Sequence, residues 1–326
     1  MGRKVAKIAT LVGGAALALA ACGGGSDGAS TATASGSGEP LVSQFDLAGI
    51  PVSVGSKDFD EQLILGQMMV QALQAAGAEV SDKVNLGGTA VAREALLADE
   101  IDVYMEYNGT GWTVHLGQED PSFDSDELTR GVREKDLADN SVVWVGQSQF
   151  NNTYGFAASP QAAEANGGPF TLQTMMTYVR ENPDAVVCME SEFPTRPDGL
   201  ILTEKATGIT LPEGQRSIMD TGVIYTETAA GNCTFGEVFT TDGRIPALNL
   251  SLVEDPGVNI VYNVSATFTK ETYDKAPAAF DGIVNAILAP LDNATMAALN
   301  AKVSAEGQEP AAVAKAFLVE QGIIAG

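Results

Sequence analysis

The spacing of apolar residues along this chain switches repeatedly between two periods. From Asp102 to Tyr107 it alternates, with Val103, Met105 and Tyr107 on one face and Asp102, Tyr104 and Glu106 on the other, which predicts a strand over 101–107. Before it, a short apolar run predicts a strand at 51–54, and helical spacing predicts an amphipathic helix over 60–76 that stops at Gly77. A strand at 83–86 and a helix over 90–98 follow, with Thr89 as the expected N-cap. Further strands are expected at 142–145, 154–158 and 185–189, and helices at 172–180 and 200–206. Short elements follow at 222–229, 237–240 and 260–264. Three Ala-rich helical segments, 277–289, 294–305 and 310–321, end the chain. Strand, turn, helix and strand in this succession imply parallel pairing through crossover helices, hence an α/β fold. In open parallel sheets ligands sit beyond the carboxyl ends of the strands. Lys57 and Tyr107 both fall at such ends.

The first residues break the pattern. Arg3, Lys4 and Lys7 precede an uncharged run over 8–21, which reads as a secretory signal and is too short to span a bilayer comfortably. It ends in Leu19-Ala20-Ala21-Cys22, which resembles a bacterial lipoprotein box with Cys22 as the lipidated residue. A Gly/Ser/Thr/Ala-rich stretch then predicts a flexible tether, with anchor and linker over 22–48. The folded part is therefore expected outside the cytoplasm, held on the outer face of the cytoplasmic membrane. Roughly 270 residues remain, enough for two ordinary domains or one large one.

Charge and cysteine usage exclude several functions. The net charge is −24 with the acids dispersed, which speaks against nucleic acid as a partner. With Cys22 lipidated, Cys188 and Cys233 remain, and a single pair in an extracytoplasmic protein most simply forms a disulfide. Two thiols and one histidine, His115, give no expected metal site or cofactor, and a Ser-His-Asp or Cys-His hydrolase is disfavoured.

Residues at strand ends and turns stand out instead. They are Lys57 and Arg196, the latter in EFPTRPDG, and the aromatic residues Tyr107, Tyr154, Phe239 and Tyr262. Taken singly, a lysine is ordinary surface and a strand tyrosine is ordinary half-buried core. Their surroundings say more. The blocks VGSKDFDEQLILGQM, GGTAVAREALLADEIDVYMEYNGTGW, FNNTYGFAAS, RPDGL and VFTTDGRI occur in this order. Together they resemble the substrate-binding proteins of glycine betaine/choline ABC importers, the Opu- and ProX-like osmoprotectant binders, from about residue 50 to the end.

That resemblance implies a two-lobed periplasmic-binding-protein fold of type II with its ligand cleft between the lobes. Lobe 1 is expected over 49–152 plus 264–326, and lobe 2 over 153–263. It implies a quaternary ammonium ligand in an aromatic cage, a carboxylate clamp, ABC permease subunits as partners, and a monomer with no enzymatic role. Carried over position by position, the clamp is Lys57, Thr110 and Arg196. The cage is Tyr107, Tyr154 and Tyr262, with Asn152 where relatives have aspartate and Asn263 where they have a second tyrosine. Phe239 stands where relatives often have tyrosine, so its ring face survives while the phenol oxygen is lost.

Physical chemistry agrees with such a cage. A trimethylammonium group has no N–H to donate, so aromatic faces must hold it, each contributing roughly 0.5–2 kcal/mol. A carboxylate in the same cleft needs paired donors. Choline has no carboxylate, so a Lys/Arg pair favours a betaine. Choline, carnitine, proline betaine, ectoine and ergothioneine are the alternative ligands. Rivals of another class are an extracytoplasmic enzyme using Asp58 and Glu106, or a sensory lipoprotein without a transporter. Trp112 has no assigned role.

Overall fold

The structure, a computed structural model, describes residues 39–326. The expected signal segment, Cys22 and the Gly/Ser-rich part of the tether lie outside these residues. The chain lays down β1 (Pro51–Gly55), β2 (Glu79–Lys83), β3 (Val103–Tyr107) and β4 (Val142–Val145) in a first sheet. It then leaves for a second sheet of β5 (Tyr154–Ala158), β6 (Val187–Met189), β7 (Arg216–Ile218), β8 (Phe235–Phe239) and β9 (Ser251–Leu252). It returns as β10 (Val264–Thr269) to the first. The strand orders are β2-β1-β3-β10-β4 and β7-β6-β8-β5-β9. β1 runs parallel to β2 and β3, and β6 parallel to β7 and β8.

The two strands that follow the crossings, β5 and β10, are the antiparallel ones. β10 opposes β3 with Val264 across from Tyr107, and β5 opposes β8 with Tyr154 across from Phe239. An antiparallel strand begins where its parallel-running neighbour ends. The start of β5 therefore joins the carboxyl end of β8, and the start of β10 joins that of β3. The crossing segments are tied together: the Asn152 amide donates to the Tyr262 carbonyl at 3.1 Å, and the Tyr262 amide donates to Asn151 Oδ1 at 2.6 Å.

Helix α1 (Asp60–Ala75) is the spine of the first half. Ile64, Leu65, Met68, Met69, Ala72 and Leu73 are all buried, because α1 packs on β1 and β3 and also on the helices Pro277–Leu288, Asn293–Ser304 and Pro310–Glu320. Each of the Ile, Leu and Met side chains contributes about 1.5–3 kcal/mol relative to exposure. A separate cluster forms where α2 (Thr89–Leu97) and the helix Ser125–Asn140 cover the other face, around Leu96, Ile101, Tyr104, Leu128, Val132 and Trp144.

Several boundaries differ from the pattern reading. The tether expected to run flexibly to residue 48 already packs on the body. Val42 and Leu47 are buried, and the Leu41 and Val42 amides donate to the carbonyls of Gly322 and Ile323. Strand β2 lies at Glu79–Lys83 rather than 83–86, because it is an edge strand of mostly exposed polar residues with no apolar alternation. Ile260, Tyr262 and Asn263 are buried but stay outside the sheet, and β10 begins only at Val264. Thr89 is the first helical residue, with Gly88 in the cap position. Cys188 on β6 and Cys233, just before β8, form a disulfide with Cα atoms 5.8 Å apart.

Candidate functional site

The carboxyl ends of β1, β3, β6 and β8 and the starts of β5 and β10 converge on one cavity of about 650 Å³. Its walls include all eight residues singled out in the sequence: Lys57, Tyr107, Thr110, Asn152, Tyr154, Arg196, Phe239 and Tyr262. Trp112 and Asn263 are not among them. Trp112 packs with the α2 cluster and donates Nε1–H to the Glu119 carbonyl, and the Asn263 amide is spent on the Ser148 and Phe150 carbonyls.

Five aromatic rings form a closed circuit. Successive centroids are separated by 6.4 Å from Tyr107 to Tyr262, 5.5 Å to Tyr154, 5.4 Å to Phe239, 5.0 Å to Phe59, and 6.2 Å back to Tyr107. Each neighbouring pair falls within the roughly 4.5–7 Å separation of interacting aromatic rings. Phe59 supplies the fifth ring, stacked on Phe239 and on Tyr107. It sits at the N-cap of α1, two residues after Lys57, and the aromatic residue at a strand-to-helix turn was the signal that could have found it. The approach of Tyr262 depends on Gly109: a Cβ there would lie 2.8 Å from Tyr262 Cε1 and 2.8 Å from the Val261 carbonyl oxygen.

Two phenols of the circuit end on buried carboxylates. Tyr107 donates to Glu61 Oε1 at 2.8 Å, and Tyr262 donates to Asp198 Oδ2 at 2.6 Å. Burial first, then Glu61 beside one and Asp198 beside the other, push both phenols well above their ordinary pKa, so they remain donors. Among the described residues Glu61 has no cationic partner. It accepts also from Asn152 Nδ2 (2.9 Å), Thr241 Oγ1 (2.7 Å) and Asn300 Nδ2 (2.8 Å). Burial raises its pKa, against these four hydrogen bonds. Asn152 thus lines the cavity while its amide is already committed, its Oδ1 accepting the Thr241 amide at 3.3 Å.

The cations of the cavity wall are paired from behind. Lys57 Nζ lies 2.7 Å from Glu106 Oε1 and 5.3 Å from the Tyr107 centroid. Glu106 does not line the cavity, and it also holds His115 Nε2 at 2.8 Å. Burial works against the Glu106 charge, yet Lys57 and His115 hold its carboxyl well below the usual carboxylate range. Burial in turn keeps the His115 imidazole below its ordinary value, despite Glu106. Arg196 binds Asp198 through Nε (2.8 Å) and Nη2 (2.7 Å), and Nη2 also reaches Thr110 Oγ1 at 3.1 Å. Its guanidinium carbon lies 5.5 Å from the Tyr154 centroid. Arg244, a third cation at the wall, binds Asp242 and approaches Asp60 at 3.4 Å. Among the described residues no group of three or more His, Cys, Asp or Glu side chains converges as a metal site would require.

Two mixed sheets, a cavity at their facing strand ends and an aromatic circuit beside buried cations define a solute-binding protein. Residues 50–320 match the family described as the substrate-binding domain of the ABC-type glycine betaine transport system. The chain is 32% identical to a glycine-betaine-binding protein of Pseudomonas aeruginosa, over 83% of this chain and 88% of that one. It is 30% identical to the glycine betaine-binding protein YehZ of Escherichia coli, over 84% and 92%. The apo structure of YehZ matches with a TM-score of 0.61 at 28% identity, covering 84% of this chain and 99% of that one. An ergothioneine transport permease/binding protein, EgtU of Helicobacter pylori, is 28% identical over 87% of this chain and 50% of its own length. The chain belongs to the glycine betaine ABC-transporter substrate-binding family. It has the type II periplasmic-binding-protein fold and is an extracytoplasmic solute-binding subunit of an ABC importer rather than an enzyme.

Proposed function

We propose that this protein captures glycine betaine, or a related quaternary ammonium zwitterion, and delivers it to its permease. The trimethylammonium group enters the circuit of Phe59, Tyr107, Tyr154, Phe239 and Tyr262, and the carboxylate meets Arg196, Thr110 and Lys57. The observation that carries this reading is the five-membered aromatic circuit directly beside Arg196, a neutral cation-holding surface next to anion donors. Rings of this kind desolvate an ammonium that cannot donate hydrogen bonds, each contributing about 0.5–2 kcal/mol. Part of that offsets the ordering of ligand and protein on binding. Lobe 1 comprises residues 49–152 plus 264–326 and lobe 2 residues 153–263, closing on the ligand as a monomer. Cys22 carries the lipid that tethers the protein outside the membrane.

A second reading is a bulkier member of the same ligand class. The volume of about 650 Å³ lies in the range of drug-sized ligands and exceeds what a molecule as small as glycine betaine fills. Carnitine and ergothioneine are the candidates of greater size, while choline tests the need for a carboxylate. Calorimetric titration of the purified protein with glycine betaine, choline, carnitine and ergothioneine distinguishes them. Saturable heat from glycine betaine is expected, and no heat from any of the four overturns the proposal.

A further inference from the structure

The anion donors of the cavity already hold an anion, and it belongs to the protein. Glu192 Oε2 accepts from Arg196 Nη1 at 3.1 Å, and Glu192 Oε1 accepts from the Thr89 amide at 3.1 Å. That amide opens α2, a helix of nine residues whose first N–H groups have no partner within the helix. Thr89 Oγ1 and Thr110 Oγ1 border the same guanidinium, at 3.2 and 3.1 Å. Gly88 makes room for the arrangement: a Cβ there would lie 2.5 Å from Glu192 Oε1. A carboxylate thus sits on a guanidinium and a helix-opening amide, and two hydroxyls accept from the same guanidinium, next to the aromatic circuit.

The two acids on Arg196 differ in how firmly they are held. Asp198 is fully buried, takes two guanidinium nitrogens and also accepts from Tyr262. Glu192 takes only Nη1, and its side chain is 35% exposed, so it can move into water without leaving a buried charge behind. Nη1 is therefore the edge of Arg196 that can exchange its partner. Thr89 lies in the segment joining strands of the first sheet and Glu192 follows β6 of the second, so the contact also ties the two halves together.

We propose that Glu192 is a displaceable internal anion, which occupies the carboxylate seat of the cavity until a zwitterion takes its place. This rests on the zwitterion reading of the site. The exchange makes Glu192 a determinant of charge selectivity. A betaine must expel Glu192 from Arg196 and Thr89, whereas a choline-like cation leaves it seated and gains from its charge. The apparent affinity for a betaine is lowered by the fraction of protein in which the seat is filled from within.

The test is calorimetry on the purified protein and on its Glu192→Gln and Glu192→Ala variants, with glycine betaine and choline as probes and circular dichroism to confirm the fold. Glycine betaine is expected to bind about five- to tenfold more tightly to both variants, and choline no more tightly than to the wild type. Glycine betaine affinity that is unchanged or weaker in both folded variants overturns the exchange. A wild type that binds choline but not glycine betaine overturns the zwitterion reading. In that case the exchange stands only if Glu192→Ala gains glycine betaine binding, and falls if it does not. Silence from every protein with both probes overturns the two together.

Discussion

Tyr107 illustrates how one side chain serves both the aromatic circuit and the frame around it. Its ring is a wall of the circuit, and its hydroxyl supplies one of the four hydrogen bonds that Glu61 receives in a fully buried position. A phenol that donates to a carboxylate carries more negative charge on its oxygen and ring, which suits a cation over its face. Tyr262 repeats the arrangement with Asp198. Phe239 cannot, since it has no hydroxyl, and its ring instead stacks on Phe59 at 5.0 Å. Tyr107→Phe separates the two roles. Ligand affinity measured by calorimetry should fall about three- to tenfold while most of the ring contact remains, and stability should fall by about 1–2 kcal/mol because Glu61 loses a donor. Tyr107→Ala, which removes the ring as well, should weaken binding at least tenfold.

At the scale of elements, the strand-to-turn passage from β3 into the residues after it sets the geometry of the aromatic circuit. Asn108 Oδ1 accepts from the Gly109 and Asn263 amides at 2.8 and 2.9 Å, fixing this turn against the start of β10. Gly109 then admits the Tyr262 ring where any Cβ would collide with it and with the Val261 carbonyl. Gly109→Ala should displace Tyr262 and lower affinity by about tenfold, with a melting temperature only a few degrees lower, since overpacking of this size costs about 1–3 kcal/mol. Other elements show what a local pattern can and cannot reveal. The period of α1 was legible because its apolar face is long, and the three C-terminal helices were legible from their Ala-rich composition. The helix Ser125–Asn140 was not. Its inward positions are Leu128, Thr129, Val132 and Asp136, and the last is an acid buried against Arg93 and Trp144. A buried acid reads as a surface residue until its partners, far away in sequence, are known.

At the scale of the whole molecule, the second sheet carries a buried acid that sets part of the pH dependence of folding. Burial pushes the Glu237 carboxyl from its ordinary 4.5 up to about 8, and Glu190 beside it adds to the rise. The folded protein therefore holds a proton there that the unfolded chain releases above about pH 4.5. This contribution to stability is fully present below that pH and is lost progressively as pH rises to about 8. Chemical denaturation at pH 5 and pH 9 should show the loss. In Glu237→Gln, a neutral mimic of the protonated acid, the difference between the two pH values should shrink by about 1–3 kcal/mol. The gain should appear on the alkaline side, and an unaltered difference would show that Glu237 is ionised in the folded protein.

The amino-acid sequence by itself determined the alternation of strands and helices, the strand ends where Lys57 and Tyr107 stand, and the short blocks that carry Tyr154, Arg196, Phe239 and Tyr262. These are local features, written in spacing and in the chemistry of turns. Tertiary structure decided which side chains meet. It set Tyr154 opposite Phe239 by antiparallel register, closed the aromatic circuit with Phe59, and gathered Tyr107, Asn152, Thr241 and Asn300 around Glu61. It also placed Glu106 behind Lys57, and Glu192 on Thr89, 103 residues away along the chain. The physical reason is that a hydrophobic period depends on neighbours within one element. The state of a buried charge depends on partners that only the folded chain brings within hydrogen-bonding distance.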